Sequence, residues 1–455
     1  MTETAAPKPR RCACYSASHV DHKPIGLGSM NRTPKILITN QWCQLNMGDA
    51  MILNATIQLL RETLGEVDIT VLSYNPAIDD GRCTVRVLES LGRSWRALPR
   101  TAWLLLRCLF WAMLWNGLHL NFHWLVSDSV LQQYANADAV IVRGGDTLTK
   151  HYGTLSLASH LTSILPAILM RKPVLLLGHS IGPFGTLRNA AKAVLNRVDI
   201  IVLRERLSKE HLRLLGISNP RVYLTVDLSI HLGNSNSETV RRVCQSEGIS
   251  SDVKWVGVSL SQMAPRFLKH SGGLAERRQE YARLMTKMID YLIKEFDTNV
   301  LLLPSALGPN DWDDRIISRL VYSNANHPER IRLVNNEHSP EELAGIIGCC
   351  EIFIGSRMHA CLAALMNCVP TIALGYGDKF HGIVGEMWGQ EGYVLSLSDL
   401  QWESLKKRID GIWNSREIVR RNLHARRRYV LKRARLNYTI LNDFLESFTA
   451  TIHPR

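Results

Sequence analysis

From residue 34 onward, short runs rich in β-branched residues alternate with longer segments whose apolar residues recur at helical spacing. "PKILITN" reads as a strand, and "GDAMILNATIQLLRETLG" follows as an amphipathic helix with Asp49 placed as its N-cap. "VDITVLSYN" is a second strand. The alternation continues through "ADAVIVRGG", a helix across "LSLASHLTSILPAILMRK", the strand "PVLLLG", a further helix, "DIIVLRE", the helix "RLSKEHLRLLGI" and "RVYLTVDLSI". A polar stretch, residues 231–252, interrupts it. The pattern then restarts with "VKWVGVSLSQ", a helix near "RRQEYARLMTKMIDYLIKEFD", "TNVLLLPSA", a helix from about Asp311, "RIRLVNN", the strand "EIFIG" and the helix "RMHACLAALMN", which Ser356 would cap. Such alternation predicts parallel strands covered by helices on both faces. The expected class is α/β, with two Rossmann-like doubly wound domains facing a cleft at the carboxyl ends of their strands. The expected division is a basic tail over 1–33, an N-terminal domain over 34–235, a C-terminal domain over 250–400 and basic helices over 401–455.

Composition narrows the partners. The chain of 455 residues carries a formal net charge of +13, which favours an anionic partner. Much of the excess sits in "REIVRRNLHARRRYVLKRARLN", residues 416–437. That run lacks the aromatic interleaving of a single-strand binder, so it reads as a solvated helix face, with membrane attraction second and nucleic acid last. Ten cysteines form no zinc-like spacing: Cys12 and Cys14 lie in the polar tail, and Cys349, Cys350, Cys361 and Cys368 in an apolar segment. A reducing compartment and a cytoplasmic location fit, and the first residues lack the apolar core of a secretory signal.

One apolar segment, "TAWLLLRCLFWAMLWNGLHLNFHWLV", residues 101–126, approaches membrane-spanning length and follows Arg93, Arg96 and Arg100. Arg107, Gly117, His119 and His123 oppose a span. Three readings stand: a buried helix or helix pair, an interfacial helix, and a true span.

Candidate chemistry falls at the strand ends. "NMGDA" supplies Asn46, Gly48 and Asp49; "RGGDTL" supplies Gly144, Gly145 and Asp146; "GHSIGP" supplies His179, Gly182 and Pro183. Glycine at such places permits a tight turn or a close backbone approach to a ligand, though no complete dinucleotide or Walker signature is present. Arg204 closes the strand "IIVLRE" and Ser208 opens the next helix; Arg204 either pairs with a neighbour such as Glu205 or offers a fork to carboxylate or phosphate. Arg357 and His359 fall in the first turn of their helix, where a cation is unfavourable for the helix itself. An anionic ligand reverses that sign, with His359 available to exchange protons. Tyr376, Asp378 and Lys379 follow the last strand in "GYGDKF". Asp311, Asp313 and Asp314 suit helix capping, so no metal is assigned.

Together these stretches resemble the polysaccharide pyruvyl transferase family, over about residues 35–395. The resemblance rests on "NMGDA", "VIVRGGDTL", "GHSIGPF", "VLRERLSKEHLRLLGI", "VDLSI", "VGVSL" and, most specifically, "AGIIGCCEIFIGSRMHACLAALMNCVPTIALGYGDKF". It implies an architecture like that of the two-domain glycosyltransferases (GT-B-like), and phosphoenolpyruvate as donor substrate with no further cofactor. The acceptor would be a saccharide or glycolipid that gains a pyruvate ketal on two hydroxyls. Carried over, Arg204, Arg357 and Lys379 would bind the donor, and His359 would move the proton with Asp49 or Asp146 serving the acceptor. Asn46, Gly48, Gly144, Gly145, Gly182, Ser208 and Tyr376 would line the loops around them. Met358 replaces the central residue of the family's histidine signature. The apolar segment and the basic end add an expected peripheral contact with an anionic membrane surface. The alternatives are a nucleotide-sugar glycosyltransferase of the same architecture and a non-catalytic saccharide-binding relative.

Overall fold

The computed structural model describes residues 32–92, 98–118, 123–218, 220–233, 235–269, 271–308, 310–377 and 379–452. The basic tail, Arg93, Arg96, His119 and Asp378 lie outside the described residues. Two compact units emerge, one formed by residues 32–44, 49–229 and 431 onward, the other by 45–48 and 230–430.

The N-terminal unit holds a seven-stranded parallel sheet. Its strands are β1 (Lys35–Gln41), β2 (Asp68–Ser73), β3 (Arg86–Glu89), β4 (Ala139–Leu148), β5 (Val174–Ile181), β6 (Ile200–Leu203) and β7 (Arg221–Leu224), in the order β3-β2-β1-β4-β5-β6-β7. Every side chain of β5 and β6 is buried, as their unbroken apolar runs require of a parallel sheet covered on both faces. The C-terminal unit repeats the plan with six parallel strands, β8 (Trp255–Ser259), β9 (Asn299–Leu302), β10 (Ile331–Leu333), β11 (Ile352–Gly355), β12 (Thr371–Gly375) and β13 (Val394–Ser396), ordered β10-β9-β8-β11-β12-β13. Its core packs Val256, Val258, Val300, Leu302, Ile352 and Ile354 of the sheet against Tyr281, Met285, Met288 and Ile289 of the helix Leu274–Phe296.

Three local expectations are corrected. The single helix across 155–172 is two, Thr154–Thr162 and Leu165–Leu169, because Pro166 cannot continue a helix and instead sits in the first turn of the second. The "RGGD" run does not end the strand: β4 continues through it to Leu148, with Gly145 at φ 127° and a shift of register between Gly145 and Leu148. The basic end is one helix, Trp402–Ile452, and part of its charge is structural. Arg426 donates to the carbonyls of Met387 (2.6 Å) and Glu386 (2.9 Å), Arg427 to that of Met366 (3.2 Å) and Arg420 to that of Glu351 (3.1 Å), while Arg421, Arg428 and Lys432 are exposed.

The apolar segment forms the helix Leu98–Leu118 and a turn, His123–Val126. Among the described residues no helix is long and apolar enough to cross a membrane. Nor is the segment simply buried. Leu104, Cys108, Trp111 and Ala112, at helical spacing, enter the core of the N-terminal unit, whereas Trp103, Leu106, Phe110 and Met113 face outward.

Candidate active site

Open α/β sheets take ligands outside the carboxyl ends of their strands, where strand order reverses. In the C-terminal unit that point lies between β8 and β11. The chain leaving β11 enters the helix Met358–Met366, with Arg357 as N-cap residue in extended conformation and His359 in the first turn. Ser356 does not cap it: its hydroxyl accepts from the Ser261 amide (2.8 Å) and meets the Tyr281 hydroxyl (3.0 Å). Arg357 is buried and forks onto Asp314, Nε to Oδ2 at 2.9 Å and Nη2 to Oδ1 at 2.6 Å. Asp314 also accepts from the amides of Gln262 (2.9 Å), Ala306 (2.9 Å) and Ser305 (3.3 Å). The cation that looked misplaced at a helix start is therefore answered by a buried carboxylate.

A piece of the chain from far upstream completes this end of the sheet. The amide of Met47 donates to Ser305 O at 2.8 Å, that of Leu307 to Leu45 O at 2.9 Å, and Asn46 bridges Ala306. Asn46, and not Asp49, supplies the capping oxygen, accepting from the Gly48 amide at 3.0 Å. Gly48 is needed for closeness, since a Cβ there would lie 2.1 Å from Nδ1 of His359. Gly48 of the "NMGD" motif and His359 of the "RMH" motif, 311 positions apart, are thus brought together. Lys379 sets its ammonium 4.8 Å from the Tyr376 ring centroid, and that ring stacks on Phe267 at 4.6 Å.

In the N-terminal unit the reversal lies between β1 and β4. Asp49 projects from the first turn of the helix Met47–Leu64, and Asp146 from the far end of β4. Arg143, wholly buried, reaches Asp49 Oδ1 at 2.8 Å and donates to the Asn40 carbonyl from Nε and Nη2, both at 3.2 Å. This fixed cation gives the Asp49 carboxylate one direction. Asp146 accepts from the Tyr152 hydroxyl at 2.6 Å. Gly144 serves packing between strands: a Cβ would meet the Leu177 and Gly178 carbonyl oxygens at 2.4 and 2.5 Å. Gly145 continues the strand beside it, and Gly182 follows β5 with its amide on Leu148 O.

Two expected ligand groups have buried protein partners. Arg204 is 1% exposed; its Nη1 meets Asp227 Oδ2 at 2.5 Å and its Nε donates to Ser180 Oγ at 2.8 Å, so its partner is Asp227 rather than Glu205. Ser208 is buried, accepts from the Ile181 amide at 2.7 Å and donates to Glu205, the N-cap of its helix. The residues missed in the sequence are the buried partners of these groups: Asp314 of Arg357, Asp227 of Arg204 and Arg143 of Asp49. Asp314 stood in view only as one of three acids at a helix start, and nothing local marks a pairing 43 positions away. Among the described residues no group of three His, Cys, Asp or Glu side chains is gathered as a metal would need.

His160 and His179, both fully buried in the N-terminal unit, are pushed down to about 3, by burial first and then by the charge of Arg143; His179 holds the Val142 carbonyl at 3.1 Å. Their folded values lie below the ordinary 6.5, so the unfolded chain binds more protons between those limits. Stability of this unit is expected to fall as pH drops from about 6.5 towards 3. Denaturant midpoints measured across that range should show a shallower decline in His160→Gln than in wild type.

Two Rossmann-like units, each a parallel sheet flanked by helices, define the GT-B-like architecture. The fold is shared with a putative UDP-N-acetylglucosamine 2-epimerase from Listeria monocytogenes (TM-score 0.56, 13% identity, covering 93% of this chain and 99% of that one). It is shared equally with HepE from Anabaena, solved with UDP and glucose (TM-score 0.56, 11% identity, 91% and 100%). At such identities the likeness concerns fold alone. Sequence goes further: the model of the polysaccharide pyruvyl transferase family matches residues 46–378, and the chain belongs to that family. It is 25% identical over 399 residues to the amylovoran biosynthesis protein AmsJ of Erwinia amylovora, covering 84% of this chain and 93% of that protein. The protein is accordingly an enzyme with a pyruvyltransferase-like role in polysaccharide modification.

Proposed function

We propose that this enzyme transfers pyruvate from phosphoenolpyruvate to two hydroxyls of one sugar in a cell-surface polysaccharide, a glycolipid or its lipid-linked precursor, working in the cytoplasm. The observation that carries the reading is the meeting of Gly48 with His359 at the start of the helix Met358–Met366. Free backbone amides at a helix start favour an anion, and Lys379 belongs to the loop after the next strand. The donor's phosphate and carboxylate suit these groups. Arg357, engaged with Asp314, acts as a positioning residue for the first turn, and Arg204 supports the N-terminal sheet.

In the first step His359 delivers a proton to the methylene carbon, leaving positive character on the substituted carbon. A sugar hydroxyl attacks that carbon and loses its proton to a carboxylate, the role that the family resemblance gives to Asp49, held by Arg143, or Asp146. The carbon–oxygen bond to phosphate then breaks, and the second hydroxyl closes the ketal. Of the two hydroxyl protons, one replaces that given to carbon and the other leaves on phosphate, so the balance needs no redox partner.

Phosphate release from phosphoenolpyruvate in the presence of free and lipid-linked glycosides tests the reaction. Release that requires acceptor supports it. No release with any acceptor, combined with stabilisation by a nucleotide sugar and not by phosphoenolpyruvate, would move the assignment to a glycosyltransferase. Gly48→Ala should displace the His359 ring and lower release by about 100-fold, as misplacement of a reacting group by about 1 Å does, with the melting temperature little changed. Release near the wild-type rate would mean the close approach has no catalytic purpose.

A further inference from the structure

The outward face of the helix Leu98–Leu118 carries none of the residues assigned to the proposed pyruvyl transfer. It presents Trp103 (61% exposed), Leu106, Leu109, Phe110, Met113 (60%), Trp115 and Leu118 (64%), and Trp124 (63%) follows in the next turn. Side chains of this size on one helix form a continuous apolar surface well beyond the scattered exposure of an ordinary protein. The inner residues Leu104, Cys108, Trp111 and Ala112 belong to the core, so the helix cannot leave the unit to span a bilayer.

Charge identifies the occupant. From Ser90 to Ser127 the chain contains no aspartate or glutamate, and Arg107 lies within the helix, its guanidinium on the Trp124 carbonyl. Beside the helix a recess of about 900 Å³ is lined by Leu109, Met113, Gly117 and Ile168 on its apolar side and by Arg171 and Arg197 on its polar side. Both arginines are exposed. Lys172 in the same wall is engaged with the Ala135 (2.6 Å) and Ala137 (2.8 Å) carbonyls, and Asp199 accepts from the Val174 amide (2.7 Å). Exposed tryptophans beside an apolar stripe with cations at its margin match the depth profile of a bilayer interface with anionic headgroups. A second copy docked face to face would bring the same cations together with no acid on the helix to meet them.

We infer that the face of Leu98–Leu118, with Arg171 and Arg197 beside it, seats the enzyme in the plane of an anionic phospholipid surface. The apolar side chains enter the acyl boundary and the two arginines meet headgroup phosphates. This surface lies wholly in the N-terminal unit and does not depend on the pyruvyl reaction.

The test is cosedimentation of the full chain with vesicles of phosphatidylcholine alone and of phosphatidylcholine mixed with phosphatidylglycerol. Wild type should partition onto the mixed vesicles. Trp103→Glu with Met113→Glu, both exposed positions, should weaken that partitioning by at least about tenfold. Arg171→Glu with Arg197→Glu should weaken binding to the mixed vesicles and reduce its salt dependence. Phosphate release with a soluble acceptor should persist in both variants, which separates failure of this surface from failure of the proposed reaction. Absence of wild-type binding, or equal binding by the apolar variant, overturns the inference. So does a wild-type oligomer that Trp103→Glu/Met113→Glu dissolves while no vesicle binds.

Discussion

Replacing His359 with alanine is expected to lower acceptor-dependent phosphate release by about 10²- to 10⁴-fold, the usual worth of a positioned proton donor. The variant should fold, because the imidazole is only half-buried and its neighbours Met358 and Ala360 carry the packing of that turn. Phosphoenolpyruvate should still raise the melting temperature, since the helix-start amides and Lys379 remain. Binding retained with turnover lost is the signature of a proton-transfer group, and a rate within tenfold of wild type would remove His359 from the chemistry.

The largest effect on stability is expected at Asp314. Its carboxylate receives the Arg357 fork and three backbone amides in a fully buried position. Asp314→Ala leaves a buried guanidinium and those amides without their acceptor, a change that costs about 3–5 kcal/mol in comparable buried pairs. Denaturant unfolding followed by tryptophan fluorescence should register the loss in the C-terminal unit. Asp314→Asn, which keeps the shape and part of the hydrogen bonding, should cost less. Should the alanine variant unfold within about 1 kcal/mol of wild type, the pair is a weak surface-like contact despite its burial.

The sheets were legible where strands are central. β4, β5, β8 and β11 each open on an apolar run, and their order of appearance with intervening helices already specified two parallel sheets. The edge strands β3 and β13 were not, being short, half exposed and without a clean period, although the edge strands β7 and β10 were. A local argument about charge at a helix start singled out His359 and Arg357, but it could not see Asp314, which comes from another element and pairs with Arg357. For Arg204 likewise the sequence offered Glu205 next door as partner, and Asp227 lies 23 positions on. Local patterns reveal which residues are unusual; long-range pairing decides what they do.

The segment from Leu45 to Gly48 also governs how the enzyme can be recombined. A chimera made by exchanging everything before residue 230 for a relative's N-terminal half would also replace the strip that lies on Ser305 and His359. Any acceptor preference grafted that way would arrive with an altered surround for His359, the proposed proton-transfer group. A crossover design that returns residues 45–48 to their own C-terminal half would separate the two properties, so that specificity could be exchanged without touching the histidine's packing.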